Sequence, residues 1–170
     1  MKFLFFVVCL MVSLHASELH DAVYEGDREK VKKCLAGTHK VDEQNQAGLS
    51  ALHVAIKLSD VKMARFLLSK GADINFQDFQ GNTPLILAVK KKSLELTTFV
   101  VMQGADVNLA NNDGITPLHQ AAFSGNEHVA DFLLKAKADP NVKNNDGATP
   151  YDFAVAKKNS IIAQMIKMNR

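Results

Sequence analysis

Gly114-Ile115-Thr116-Pro117-Leu118-His119-Gln120-Ala121-Ala122 is the stretch on which the fold turns. Asp113-Gly114 at its head suits a tight turn that needs positive φ. Thr116 stands where a helix is capped, and Pro117 takes the first helical position, where a missing N–H costs nothing. Leu118, Ala121 and Ala122 then make one short apolar face, with alanines that let a neighbouring helix come close. Gly125-Asn126 ends that helix. Val129, Phe132, Leu133 and Leu134 mark a second, more apolar helix at spacings of three and four. Ala138-Asp139-Pro140-Asn141 closes the unit, which reads turn, helix, turn, helix.

Outward from this stretch the pattern repeats. Glycines fall at 48, 81, 114 and 147, a period of 33 residues. Two places on come Ser50, Thr83, Thr116 and Thr149, followed by Ala51, Pro84, Pro117 and Pro150. Then come Leu52, Leu85, Leu118 and Tyr151, and after them Ala55, Ala88, Ala121 and Ala154. Leu19, His20 and Ala22 fit the same frame one period earlier. Neither helix of such a unit buries its face alone, so stacking makes the core.

These residues, over essentially all of 17–170, resemble the ankyrin-repeat family. The resemblance implies an all-α ankyrin-repeat solenoid of helix-turn-helix units with short hairpin-like turns. The units read as an N-terminal cap (17–45), internal repeats 46–78, 79–111 and 112–144, and a C-terminal cap (145–170). Lys30, Lys32 and Lys33 suit a solubilising first cap, and Ile161-Ile162-Ala163-Gln164-Met165-Ile166 a helix closing the other end. Two departures stand out. Ile86 replaces the motif histidine and Lys92 the glycine after the first helix, so the helices of that repeat are expected to join differently.

The first residues read differently. Met1-Lys2 is followed by an apolar run, Phe3 to Leu14, broken only by Ser13, and then by His15-Ala16-Ser17. That is the pattern of a secretory signal peptide cut after Ala16. The run is too short for a membrane anchor, which needs about 20 residues, so no membrane role is expected after cleavage. Cys9 lies inside the run without the small residues of a lipidation site. The mature chain then keeps one cysteine, Cys34, so no internal disulfide forms and the fold stands on packing. The formal net charge of +2 for the whole chain gives no electrostatic footprint for nucleic acid. No N-glycosylation acceptor occurs. With the short Phe- and Val-rich leader, this favours a bacterial periplasm over a eukaryotic secretory route.

Chemistry-bearing residues fall into the frame. His20, His53 and His119 share one slot, where the ring bonds the capping hydroxyl or the preceding turn. Packed helices lie about 8–10 Å apart, which is poor geometry for two ligands on one zinc ion. No metal and no cofactor are expected. His39 and His128 read as isolated and solvated. Cys34 aligns with Leu67, Val100 and Leu133, a buried column where a thiol is inert. Asp73, Asp106 and Asp139 recur because their loop recurs, not as an acid–base pair. No phosphate loop, nucleophile elbow or His-Glu-x-x-His is present, and no enzyme is expected.

The remaining expectation is a binding scaffold, a monomer that grips another protein. In ankyrin-like proteins the turn tips and outward positions of the first helices line a concave face. Here these are Gln46, Ala47, Leu49, Lys57 and Leu58; then Phe79, Gln80, Asn82, Lys90 and Lys91; then Asn112, Asp113, Ile115, Phe123 and Ser124. Tyr24 and Glu25 extend the row from the cap. Phe79 aligns with Gln46 and Asn112, and Phe123 with Lys57 and Lys90, polar occupants that place both rings in solvent. With Lys90 and Lys91 they would form aromatic anchors in a cationic rim. The resemblance to exported bacterial ankyrin proteins linked to catalase and peroxide defence implies support of such an enzyme as one role. A secreted effector bound to a host protein, or a small-molecule carrier for haem, stays open.

Overall fold

A computed structural model describes residues 18–169, which hold ten helices in five pairs and no strand. The pairs are α1 (18–24) with α2 (Arg28–Ala36), and α3 (Ala51–Lys57) with α4 (Val61–Ser69). Next are α5 (Pro84–Lys90) with α6 (Leu94–Met102), and α7 (Pro117–Ser124) with α8 (Glu127–Lys135). The last is α9 (Pro150–Ala156) with α10 (Ser160–Met168). These are tandem all-α helix-turn-helix units. The leader expected over residues 1–16, with Cys9, lies outside the described residues. No described helix is long and apolar enough to cross a membrane.

Capping explains why helices this short start where they do. Ser50, Thr83, Thr116 and Thr149 each cap a first helix, accepting the backbone N–H of the third helical residue. A second column, Asp27, Asp60, Ser93 and Asn126, does the same for the second helices. A cap of this kind contributes about 1 kcal/mol, a large share of what holds a helix of two turns.

The joint between paired helices is the same in every repeat. Ser59, Lys92, Gly125 and Lys158 stand 33 residues apart, and all are left-handed, with φ of 59°, 57°, 70° and 59°. Lys92 therefore does not alter the joint after α5, contrary to the sequence expectation. The stack over-determines the turn, and a lysine is forced into a conformation that disfavours a β-carbon.

The chain divides into two compact units between Phe79 and Gln80. In the first, α3 packs on α4, and Leu19, Leu52, Ile56, Met63 and Leu67 are fully buried. In the second, α5, α7 and α9 pack in one row and α6, α8 and α10 in another, with each first helix against its own second helix. Leu85, Ile86, Leu96, Leu118, Leu133, Ile162 and Ile166 fill the space between.

Within each unit the turns are tied sideways as well as along the chain. Asn45, Asn111 and Asn144 each use Oδ1 to accept two backbone N–H groups of their own turn. The Asn112 N–H then donates to the Gln80 carbonyl at 3.0 Å, and the Asn145 N–H to the Asp113 carbonyl at 3.1 Å. Gly81 and Gly114 make this approach possible, because a β-carbon on either would stand 2.6 Å from Asn112 N or 2.8 Å from Asn144 Cα.

Candidate functional site

The shared histidine slot is structural, and its geometry can be read atom by atom. In α7, Nδ1 of His119 lies 2.8 Å from Thr116 Oγ1 and accepts the Thr116 N–H at 3.2 Å. Nε2 meets the Ala148 carbonyl at 3.1 Å. His53 binds Ser50 in the same way, and Nε2 of His20 meets the Leu49 carbonyl at 2.8 Å. The capping contact is as expected, but the backbone partner is the turn of the following repeat rather than the preceding one. Burial pushes the His119 imidazole below its ordinary value; the bonded Ala148 carbonyl and Asp152 pull it part of the way back. Both ring nitrogens are thus engaged by the scaffold.

The recurring carboxylates are equally committed. Asp73, Asp106 and Asp139 each accept the N–H two residues on, at 2.8 Å. They hold the loop after each second helix.

In the first unit Tyr24 is 53% exposed, Leu58 45% and Phe79 60%, while Lys57 ends α3 in solvent. The Phe79 ring lies over Gly48, where a β-carbon would meet it at 2.2 Å. Leu49 departs from expectation. It is buried, because it occupies the position before the Ser50 cap, from which an apolar side chain packs back toward the fourth helical residue, here buried Val54.

In the second unit the same column brings another departure. Asn82, just before the Thr83 cap, is buried, and its Oδ1 accepts from Lys90 Nζ at 3.0 Å and Asn111 Nδ2 at 3.2 Å. Lys90 is thus drawn onto a neighbouring turn and is not a loose rim charge. Ile115 is half-buried, with its N–H on Asn111 Oδ1. Gln80, Lys91 and Asn112 are exposed, and the Asn112 side chain covers Gly81. Ser124 turns its hydroxyl onto the Ala121 carbonyl.

Phe123 is 48% exposed, but it is not a bare ring. It lies 6.3 Å from the Phe153 ring, and Lys157 Nζ stands 4.2 Å above its centroid. Phe153 in turn meets His119 edge-on at 5.3 Å. Phe123, Ala148, Asp152, Phe153, Ala156 and Lys157 enclose a slot of about 280 Å³. The cation over this ring is therefore Lys157, not the expected Lys90 or Lys91. Phe153 and Lys157 were missed because alignment by period sets them beside Gln120 and Ser124, which says nothing of what they touch. The signal available was an offset near one period, since Phe153 and Lys157 lie 30 and 34 residues after Phe123.

A second hollow of about 800 Å³ opens at the outer side of α9 and α10, lined in part by Tyr151, Val155, Ala163, Lys167 and Met168. These positions align with Leu118, Ala122, Ala130, Leu134 and Lys135, the first four of which are buried in the preceding repeat.

A family model describing ankyrin repeats in three copies matches residues 19–111 and 91–169. No curated protein sequence matches the chain at a meaningful level.

Proposed function

Because the chain belongs to the ankyrin-repeat family, a family of protein-interaction modules, we propose that it is a non-catalytic scaffold that binds another protein, with the Phe123 slot as its main anchor point. The observation that carries this is the half-exposed Phe123 ring, held by Phe153 and capped by Lys157. A rigid aromatic wall with a cation above it gives a large apolar contact at little entropic cost. At about 280 Å³ the slot falls under the ~300–1,000 Å³ of small-molecule sites and suits one apolar side chain of a partner. In the first unit Phe79, Tyr24, Lys57 and Leu58 are exposed and are the candidate contacts there.

On the strength of the apolar run Phe3 to Leu14 we place this binding outside the cytoplasm. The resemblance to exported bacterial ankyrin proteins makes support of a stress-defence enzyme such as catalase its candidate role. The test starts with affinity capture from the periplasm of the source organism, followed by binding and unfolding measurements on variants. Phe123→Ala should weaken the captured partner by about 30-fold or more, the mark of a central anchor. Its cost in folding should stay near 1 kcal/mol, for the lost ring pair and cation contact. Phe79→Ala reports separately on the first unit. A Phe123→Ala protein that folds and binds as well as the parent refutes the anchor.

A further inference from the structure

His39 is where the sequence expectation fails most plainly. Instead of lying in solvent, its side chain is only 6% exposed, and Nδ1 meets Glu43 Oε1 at 2.7 Å. Around it stand Cys34 from α2 and Glu18 from α1, and the ligand atoms of Glu18, Cys34 and His39 lie within 4.8 Å of one another. Cys34 is buried and Glu18 exposed. A thiol, an imidazole and a carboxylate thus converge from three separate segments of the first unit.

We propose that Glu18, Cys34 and His39 form a binding site for a zinc-type transition-metal ion, with Glu43 as the group that orients the imidazole. Donor chemistry selects the metal. Sulfur and nitrogen ligands with one carboxylate suit zinc, where calcium and magnesium take oxygen alone. Bonds of about 2.0–2.3 Å in a tetrahedron set ligands roughly 3.5 Å apart. Ligand atoms within 4.8 Å of one another close to that spacing with side-chain movements of about an ångström. The fourth position is left to water.

The charges fit as well. Burial raises the Cys34 thiol above its ordinary value, with Glu18 and Glu43 adding to this and Lys30 opposing it. A divalent cation reverses this: the thiol gives its proton to solvent, and thiolate and Glu18 together neutralise the ion. The Glu43–His39 pair is the arrangement by which a carboxylate fixes the tautomer of a ligating histidine; coordination is then expected through Nε2. Glu43 is itself held in a turn by its N–H on the Lys40 carbonyl at 3.0 Å. Metal would clasp the loop after α2 to both helices of the first pair.

The experiment is titration of the purified protein with Zn²⁺ by calorimetry and with Co²⁺ by absorbance. One ion should bind per chain, with a thiolate-to-cobalt charge-transfer band and a raised melting temperature. Cys34→Leu copies the residue found in this column at Leu67 and Leu133, so it keeps the fold and should abolish the band. His39→Ala and Glu18→Gln should each weaken Zn²⁺ by tenfold or more, and Glu43→Gln by about 10–100-fold without loss of a ligand. The proposal is overturned if no thiolate band forms, or if the band survives Cys34→Leu and so belongs to Cys9. It is equally overturned if Zn²⁺ affinity is the same in the folded Cys34→Leu and His39→Ala proteins as in the parent.

Discussion

Helices α5 and α7 perform the same task with different residues. Both start at a threonine cap followed by proline, and in both a left-handed residue, Lys92 or Gly125, leads from the first helix to the second. Between those points α7 has His119, bonded to its own cap and to the next turn, where α5 has Ile86, fully buried and bonded to nothing through its side chain. At the joint α7 has Gly125 and α5 has Lys92. The fold accepts either a hydrogen-bonding ring or a hydrocarbon in one slot and either glycine or lysine in the other. The turn glycine is not exchanged, because there backbone meets backbone.

The largest expected effect tests that last point. Gly81→Ala and Gly114→Ala, one before each helix, should each cost about 3 kcal/mol or more, from a β-carbon against the next turn and a left-handed backbone. Gly147 has the same conformation but nothing within 4 Å, so Gly147→Ala should cost only about 1–2 kcal/mol. Denaturant unfolding of the three variants decides; equal losses would mean that strain rather than close approach fixes the column.

A middle-sized effect concerns the histidine slot. The folded chain holds His119 below its ordinary value, mainly through burial, so the unfolded chain binds the proton more readily. Its stabilising contribution is complete above the unfolded value near 6.5 and is lost as pH falls from there toward the lowered folded value, by at most ~1.4 kcal/mol per pH unit. His119→Ile, which turns α7 into a likeness of α5, should flatten that part of the stability profile below about pH 6.5. An unchanged slope would remove His119 from the acid response.

The smallest effect is at the joint. Lys92→Gly should stabilise the protein by roughly 0.5–1 kcal/mol, the relief of a left-handed lysine less the added freedom of the unfolded chain. A loss of stability would show that the lysine side chain makes a contact worth more than the strain.

Much of this molecule was legible in order of residue number. Cap, turn glycine, apolar face and second helix are interactions within about four residues, and local chemistry determines them wherever the chain goes next. The buried Cys34 and the all-α repeat followed from the same frame, as did the capping role of the histidines. What sequence placed badly lies one repeat away. Leu49 and Asn82 looked like exposed tips, yet the position before each cap is turned inward. Phe123 was visible, but not the Phe153 and Lys157 that make it a slot. His39 was read as solvated, although Glu43 holds it and Cys34 and Glu18 adjoin it.

The physical reason is that contacts between repeats do not respect the period. His119 reaches a carbonyl 29 residues on, Asn145 one 33 residues back and Asn159 one 37 residues back. Those offsets depend on how far each helix is rotated and raised against the next, a quantity set by the packing of Leu, Ala and Ile side chains between them. The sequence by itself determined what each repeat is; the tertiary structure decided which side chains of different segments meet.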